Sequence, residues 1–209
     1  MRKAILGLAA VAGLLALTWA SGVWSGGWGS FFGLAFREAT TDPNAAHVVA
    51  KVGSETVTVG SIKTAMAMLH VAAIQSGHKP DSVTKAMAFE QAKTTAVLMN
   101  EAKKRGITVS EEEGRQMADE QRANIALLPP GDRSELVTAI RGMGFTEEQF
   151  WTEYAPRAYA HLAYLGRLRQ QVQDATPGDS VAKRTGYQQF VQSLMASTRV
   201  DILDDSWTR

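Results

Sequence analysis

The chain has 209 residues, of which 45% are hydrophobic, and a formal net charge of +1. This length suits one or two small domains, and the nearly balanced charge gives no electrostatic case for binding nucleic acid. The sequence contains no cysteine, which excludes disulfides, thiolate chemistry and cysteine-ligated zinc but does not identify the compartment.

The first residues carry the signal for compartment. Arg2 and Lys3 precede residues 4–20, which contain no charge. A run of this length lies between a long signal peptide and a short membrane span. A small-x-small sequence ending at Ala20 favours cleavage, whereas the uncharged aromatic stretch that continues beyond it favours an anchor. Residues 1–24 are therefore predicted to be a signal peptide or a transmembrane anchor, and the anchor is favoured.

The same pattern predicts where the rest of the chain lies. Because the cationic end stays inside, everything after about Arg37 is expected outside the cytoplasm. An uncleaved segment would leave the protein anchored at the cytoplasmic membrane, and a cleaved one would make it periplasmic or secreted. Residues 25–46 are rich in glycine, serine and aromatic residues, and they are predicted to link the membrane to a domain over residues 47–204.

The domain opens with a predicted hairpin. Residues 48–52 are a β-branched run, the chain turns at Gly53, and residues 56–57 return as a second short strand. Thr58 is placed to cap a helix that ends near Gly77. The apolar side chains of this helix recur every three or four positions, at Ile62, Ala65, Met66, Leu69 and Ala73.

The next two helices are separated by the clearest turn signal in the chain. A long helix is predicted to begin at Asp81 or Ser82 and to end just before Gly106, after three basic residues that complement the helix dipole. Ser110 and Glu113 then form a Ser-x-x-Glu capping box. This signature predicts that a third helix starts directly after the turn.

Prolines separate the third helix from a short fourth one. The third helix is predicted to end at Leu128, before Pro129 and Pro130. Asp132 is placed to cap the fourth helix, which is expected to close at Gly142.

A second capping box begins the next helical segment, at Thr146 and Gln149. Pro156 lacks a backbone donor and should kink or restart that helix. A final helix from about Ser180 leads into a terminal strand over residues 198–203. The predicted fold is therefore mainly α, with a small β element built from segments near the two ends of the domain.

No pattern in the sequence predicts enzymatic chemistry. The acidic clusters at residues 111–113 and 147–148 lie in first turns of helices, where the helix dipole accounts for them. There is no Gly-x-Ser-x-Gly elbow and no glycine-rich phosphate loop. The histidines are scattered without i,i+4 pairs, at His47, His70, His78 and His161. We therefore expect no catalytic residue, no metal and no cofactor.

Two residue types point to a binding surface. Methionine serves as flexible core filler or on surfaces that bind varied partners, and aromatic residues favour both cores and interfaces. The helical methionines are Met66, Met68, Met87, Met99, Met117, Met143 and Met195. The aromatic cluster comprises Phe145, Phe150, Trp151, Tyr154, Tyr159 and Tyr164. Core packing explains most of these positions, and the remainder can line a groove.

Four segments in this order resemble the N-terminal chaperone domain of the SurA and PrsA type of extracytoplasmic foldases. Residues 49–58 match the opening hairpin, lacking only the usual asparagine before the turn glycine. Residues 101–113 closely follow the family's helix-turn-helix segment. Residues 144–150 and 190–202 resemble its Gly-x-Thr segment and its closing helix and strand. The resemblance covers about residues 48–203.

The resemblance also shows a departure from the family pattern. Typical members insert a parvulin-type prolyl isomerase domain before the final helix, whereas only about residues 170–180 occupy that position here. The family's isomerase activity is therefore not implied. What the resemblance implies is non-covalent binding of unfolded or translocating polypeptides in apolar grooves between helices.

These inferences predict an extracytoplasmic, ATP-independent chaperone or holdase that is not an enzyme. Its expected partners are unfolded or newly exported polypeptides, together with the membrane through the N-terminal segment, and no nucleic acid. The alternative is a membrane-tethered adaptor or structural subunit of an envelope or secretion complex. The residues predicted to contact peptide are Met66, Leu69, Met143, Phe150, Trp151 and Tyr154.

Overall fold

The computed structural model describes residue 33, residues 36–39 and residues 41–208. The predicted signal peptide or anchor over residues 1–24 lies outside these residues, as does the first part of the predicted linker. Among the helices that are described, none is both long and apolar enough to cross a membrane.

The described part of the chain is mainly helical with a small three-stranded sheet, as predicted. The elements are β1 (Val48–Val52), β2 (Glu55–Thr58), α1 (Val59–Gln75), α2 (Lys85–Lys104), α3 (Glu111–Ala126), α4 (Pro130–Gly142), α5 (Glu147–Gln149), α6 (Ala155–Asp174), α7 (Ser180–Ser197) and β3 (Asp201–Ile202). A π-helical turn (Phe150–Tyr154) joins α5 to α6, and 3₁₀ turns lie at Pro80–Ser82 and Asp205–Trp207.

The sheet joins the two ends of the domain, which confirms that part of the prediction. Its strand order is β2-β1-β3, and both pairings are antiparallel. Lys51 lies opposite Thr56 on β2 and opposite Asp201 on β3. The terminal strand is shorter than predicted. At its start the Thr198 amide still donates to the Leu194 carbonyl of α7, and at its end the amides of Leu203 and Asp204 both donate to the Val49 carbonyl on β1.

Three helix starts follow the predicted capping chemistry. Thr58 caps α1, and the side chain of Ser61 bonds back to the cap amide. Ser110 and Glu113 exchange the two hydrogen bonds of a capping box at α3. The Thr146 box at α5 has the same geometry, with glutamine as its second member. Local hydrogen bonding therefore fixes where these helices begin.

Two other helix starts differ from the prediction. Residues 80–82 form a 3₁₀ turn, so α2 begins at Lys85 and is capped by Thr84 instead of Asp81 or Ser82. At α4 no side chain caps the helix, because Pro130 takes the first helical position and Pro129 the cap position. Proline suits that place because the amide it lacks would have no partner in the helix. Asp132 instead lies in the first turn.

Pro156 restarts the helix, as expected. It lies in the first turn of α6, directly after the π-helical turn, and the Ala155 amide donates to the Phe150 carbonyl five residues earlier. A π turn commonly forms where a helix absorbs a local irregularity. This arrangement turns three aromatic side chains of residues 150–154 into the interior.

The buried side chains form three clusters. The aromatic core lies between α3, α4, the π turn and the start of α6. The sheet core lies between β1, β2, α1 and α2, and partly buried residues of α7 and of the C-terminal segment pack against it. A smaller third cluster joins α2 and α6 to α7 around Ala102, Leu168 and Val172. Helices α2 and α6 therefore connect the clusters.

The packed body extends beyond both ends of the predicted domain. Phe36, within the predicted linker, is fully buried in the aromatic core. Gly33 lies so close to α4 that a β-carbon there would sit 2.6 Å from the Ala139 carbonyl oxygen. At the other end, Trp207 packs against the sheet core.

Candidate functional site

The six residues predicted to contact peptide lie in two separate places. Met66 and Leu69 are partly buried on α1 and pack against the sheet core. The other four are at most 5% exposed and belong to the aromatic core: Met143, Phe150, Trp151 and Tyr154. The structure therefore does not gather the six residues into one groove.

The aromatic rings of the second group fill their own interior. The Phe150 ring meets the Trp151 ring edge-on at 4.9 Å between centroids, and it lies 5.2 Å from the Tyr154 ring. Phe36 closes the cluster with an edge contact to Tyr154 at 5.7 Å. Burial raises the pKa of Tyr154 well above its usual value. Their contact with a client stays a prediction, and it would require this core to open.

One open cleft lies on the outer side of α1, and we call it the Trp207 cleft. It has a volume of about 360 Å³, and it lies between α1, the first residue of α2 and the C-terminal 3₁₀ turn. Its lining residues are Glu38, Lys63, Met66, Ala67, His70, Lys85 and Trp207. Of the six predicted contact residues, Met66 is the one that lines this cleft.

The walls of the Trp207 cleft are held by specific contacts. The Lys85 ammonium lies 5.1 Å from the Trp207 ring centroid, a cation–π distance. Lys63 pairs with Asp42 at 2.6 Å and with Glu38 at 3.3 Å. The hydrogen bond to Asp42 raises the pKa of Lys63, which keeps this side chain cationic. The cleft thus combines an apolar floor with charged edges.

Trp207 was not predicted as a site residue. The sequence signal that points to it is a single tryptophan in an otherwise polar tail after the last strand. The tail is fixed by a 3.0 Å contact between His47 Nε2 and Asp204 Oδ2, and by the hydrogen bond from the Ser206 amide to Asp204. Hydrogen bonds from Ser206 and then from His47 hold the pKa of Asp204 below its usual value. Periodicity cannot find such a residue because it lies in no helix or long strand.

A second open cleft lies between α2, α3 and α6, and we call it the His161 cleft. Its volume is about 450 Å³. The residues that line it are Met99, Lys103, Val109, Glu111, Arg115, Thr152, Glu153, Pro156, Arg157, Ala160, His161 and Tyr164. Part of the wall is formed where α3 and α6 meet closely: a β-carbon on Gly114 would sit 2.2 Å from the Pro156 carbonyl oxygen.

An ion pair between a buried carboxylate and an exposed ammonium group lies beside this cleft. Glu55, on β2, is 2% exposed, and its Oε1 lies 2.6 Å from the Lys103 ammonium. His161 is 9% exposed, and its Nε2 has no hydrogen-bond partner. Burial lowers the pKa of the imidazole to about 4, so His161 is neutral at pH 7.

Two further features carry no site. A small cavity of about 30 Å³ between α1 and α2 has room for roughly a water molecule or two. Among the residues that the structure describes, no group of three or more histidine, aspartate or glutamate side chains is placed to hold a metal ion.

The chain was compared with protein-family models, with curated proteins and with solved structures, and it matches none of them. The resemblance to the SurA and PrsA type therefore rests on the sequence motifs alone.

Proposed function

We propose that this protein is an ATP-independent chaperone that holds unfolded or newly exported polypeptides outside the cytoplasm, without prolyl isomerase activity. The observation that carries the proposal is the open Trp207 cleft, where a methionine and a tryptophan line one cavity. Side chains of these two types bind varied apolar groups because one is flexible and the other offers a large flat surface.

The size and edges of the cleft suit part of a polypeptide. A volume of about 360 Å³ lies at the low end of ligand pockets, which is enough for one or two apolar side chains. Lys85 stands at the edge, where its ammonium group can meet backbone carbonyls or acidic side chains of a client, whereas Lys63 is already paired with Asp42 and Glu38. Shallow contacts of this kind favour weak binding to many sequences.

The arrangement of the family-like segments supports the same proposal. Residues 49–58 form the hairpin β1–β2, residues 101–113 contain the end of α2 and the start of α3, and the closing strand pairs back onto β1. Only residues 175–179 separate α6 from α7. So short a connection leaves no room for an inserted isomerase domain, which supports binding without catalysis.

The compartment in this proposal rests on the N-terminal sequence. Arg2 and Lys3 followed by an uncharged run are the features of an export signal or an anchor. An anchored chaperone would meet clients as they emerge on the outer face of the cytoplasmic membrane.

The experiment measures how the full chain, in a mild detergent, suppresses aggregation of a chemically denatured model protein. We expect suppression at equimolar protein, and Trp207→Ala should weaken client binding about tenfold, as for an aromatic residue that anchors an interface. Met66→Ala should act in the same direction with a smaller effect. Leu127→Ala is the matched control, because this leucine is 85% exposed and lies outside the cleft.

Two results would overturn the proposal. One is the absence of suppression by the unmodified chain. The other is equal activity of Trp207→Ala and Leu127→Ala, which would remove the cleft from the binding surface. Purification of the full chain with a single stoichiometric partner and no client binding would instead support an adaptor at the membrane.

A further inference from the structure

We propose that the His161 cleft is a second client-binding site, and that it takes a lysine or arginine side chain of the bound polypeptide. The inference rests on the proposed function and deepens it, because it names a residue class that the clients should carry.

Some charged residues of the cleft are already paired within the protein. When these pairs are set aside, the remaining charges favour the binding of a cation. Lys103 is held at 2.6 Å by the buried Glu55. Arg115 pairs with Glu112 at 2.7 Å, and Glu112 does not line the cleft. Both cations are therefore already compensated.

The remaining charged groups of the lining are two carboxylates and one guanidinium. Glu111 and Glu153 form no ion pair with any other residue that the structure describes, and neither does Arg157. An incoming ammonium or guanidinium group would pair with carboxylates that now face solvent alone. An incoming carboxylate would find only one uncompensated cation and two like charges, which disfavours it.

The shape of the cleft suits a long side chain. Buried Met99 and Pro156 line it together with partly buried Tyr164, so an aliphatic stem finds apolar surface. Lysine and arginine carry such stems beneath their charged heads. A volume of about 450 Å³ accommodates the whole side chain and adjoining backbone.

The imidazole of His161 supplies an independent sign of a ligand. His161 is 9% exposed, and its buried Nε2 lacks a hydrogen-bond partner, although buried polar atoms in native proteins are nearly always hydrogen-bonded. A neutral imidazole can accept a hydrogen bond at Nε2 when its proton is on Nδ1. Ammonium and guanidinium groups are pure donors, so they match this acceptor and meet no positive charge from the ring.

The first test uses three fluorescein-labelled, end-blocked heptapeptides that differ only at the central residue. One carries arginine, one carries citrulline, which is nearly isosteric and neutral, and one carries glutamate. Anisotropy titrations with the full chain in mild detergent should give about fivefold tighter binding for arginine than for citrulline, as two exposed ion pairs allow. The difference should shrink between low and high salt, because the carboxylates are exposed.

The second test removes the two carboxylates. Glu111→Gln with Glu153→Gln should abolish the preference for arginine over citrulline and leave citrulline binding unchanged. Asp119→Asn with Glu120→Gln is the matched control, because it makes the same change in net charge on the exposed side of α3, outside the cleft. The control should keep the preference.

The outcomes separate this inference from the proposed function. Equal binding of the arginine and citrulline peptides would overturn the inference, and tightest binding of the glutamate peptide would identify an anion site instead. Neither result bears on the aggregation experiment with Trp207→Ala, which tests the proposed function separately. If arginine preference is lost in the double glutamine variant but the chain suppresses no aggregation, the cleft binds basic peptides and the chaperone proposal fails.

Discussion

The aromatic core and the Trp207 cleft are built from the same residue types, but only one of them is open. Phe150 and Trp151 in the core are almost fully buried, whereas Met66 and Trp207 in the cleft remain partly exposed. Residue type therefore does not separate a packing surface from a binding surface. What separates them is whether another segment covers the apolar side chains.

The cover over the aromatic core comes from two segments distant in sequence. Phe36 contributes an edge contact to the ring of Tyr154, and α4 contributes Leu136, Ile140 and Met143. The Trp207 cleft has walls from α1 and the C-terminal turn, and no third segment of the described chain fills it.

The largest effect is expected for Phe150→Ala. The phenyl ring is 1% exposed and contacts two other aromatic rings, so its removal leaves a cavity. We expect the free energy of unfolding to fall by about 3–5 kcal/mol. Urea titration followed by circular dichroism measures the change.

Leu127→Ala is the control for that experiment, since it shortens a side chain that is 85% exposed. Its effect should stay within about 0.5 kcal/mol. A Phe150→Ala protein with unaltered stability but lost client binding would contradict the distinction, because it would make Phe150 a binding residue.

A pH effect of intermediate size is expected for His161, which borders a cleft but has a buried ring. Burial lowers the folded-state pKa to about 4, and Glu55 and Lys103 are the charged groups that act on the imidazole. The unfolded chain binds the proton first as pH falls, with a pKa of about 6.5. The contribution of His161 to the free energy of unfolding is therefore fully present above pH 6.5. It is lost between about pH 6.5 and pH 4, and the loss amounts to up to about 3 kcal/mol.

His161→Gln tests that assignment. Because several carboxylates also titrate near pH 4, the quantity to compare is the stability difference between the variant and the parent at pH 7 and at pH 4.5. The parent should lose more stability than the variant. His78→Gln, which changes an exposed histidine, is the control and should lose as much stability as the parent between pH 7 and pH 4.5. An equal loss in His161→Gln and the parent would show that the His161 ring is not desolvated.

Sequence reasoning predicted the parts of this fold that depend on local hydrogen bonds. The capping boxes at Ser110 and Thr146 are complete within four residues, so their partners can be read from the chain. The start of α2 was misplaced because Pro80–Ser82 form a 3₁₀ turn, which leaves Thr84 to act as the cap. Asp81, Ser82 and Thr84 all have side chains that can cap a helix, so the sequence alone does not distinguish between these starts.

The candidate site could be predicted less well from the sequence, because tertiary contacts decide whether another segment covers an apolar side chain. Met66 and Met143 have the same side-chain chemistry, yet Met66 on α1 lines a cleft and Met143, at the C-cap of α4, lies in the aromatic core. Trp207 reaches the cleft only because β3 pairs with β1 and the His47–Asp204 contact fixes the tail. These contacts join residues that are 150 or more positions apart in the sequence, so no local pattern predicts them.

A smaller loss of stability is expected for Gly114→Ala, which tests the covered face of α6. A β-carbon at Gly114 would sit 2.2 Å from the Pro156 carbonyl oxygen and 2.9 Å from the Ala160 β-carbon. Backbone atoms cannot yield as a flexible side chain can, so α3 and α6 would have to move apart. We expect a loss of about 1–3 kcal/mol in urea unfolding, and unchanged stability would mean that the two helices do not pack this closely.

The smallest effect, and one of opposite sign, is expected for Gly166→Ala on the open face of the same helix. No atom lies within 4 Å of a β-carbon built at Gly166, and its backbone is helical. Alanine therefore removes unfolded-state entropy without a clash and should stabilise the protein by about 0.5–1 kcal/mol. The same urea titration measures it alongside Gly114→Ala. Opposite signs for the two substitutions support one covered and one open face, whereas a loss at Gly166 would show that this face is not open in the folded protein.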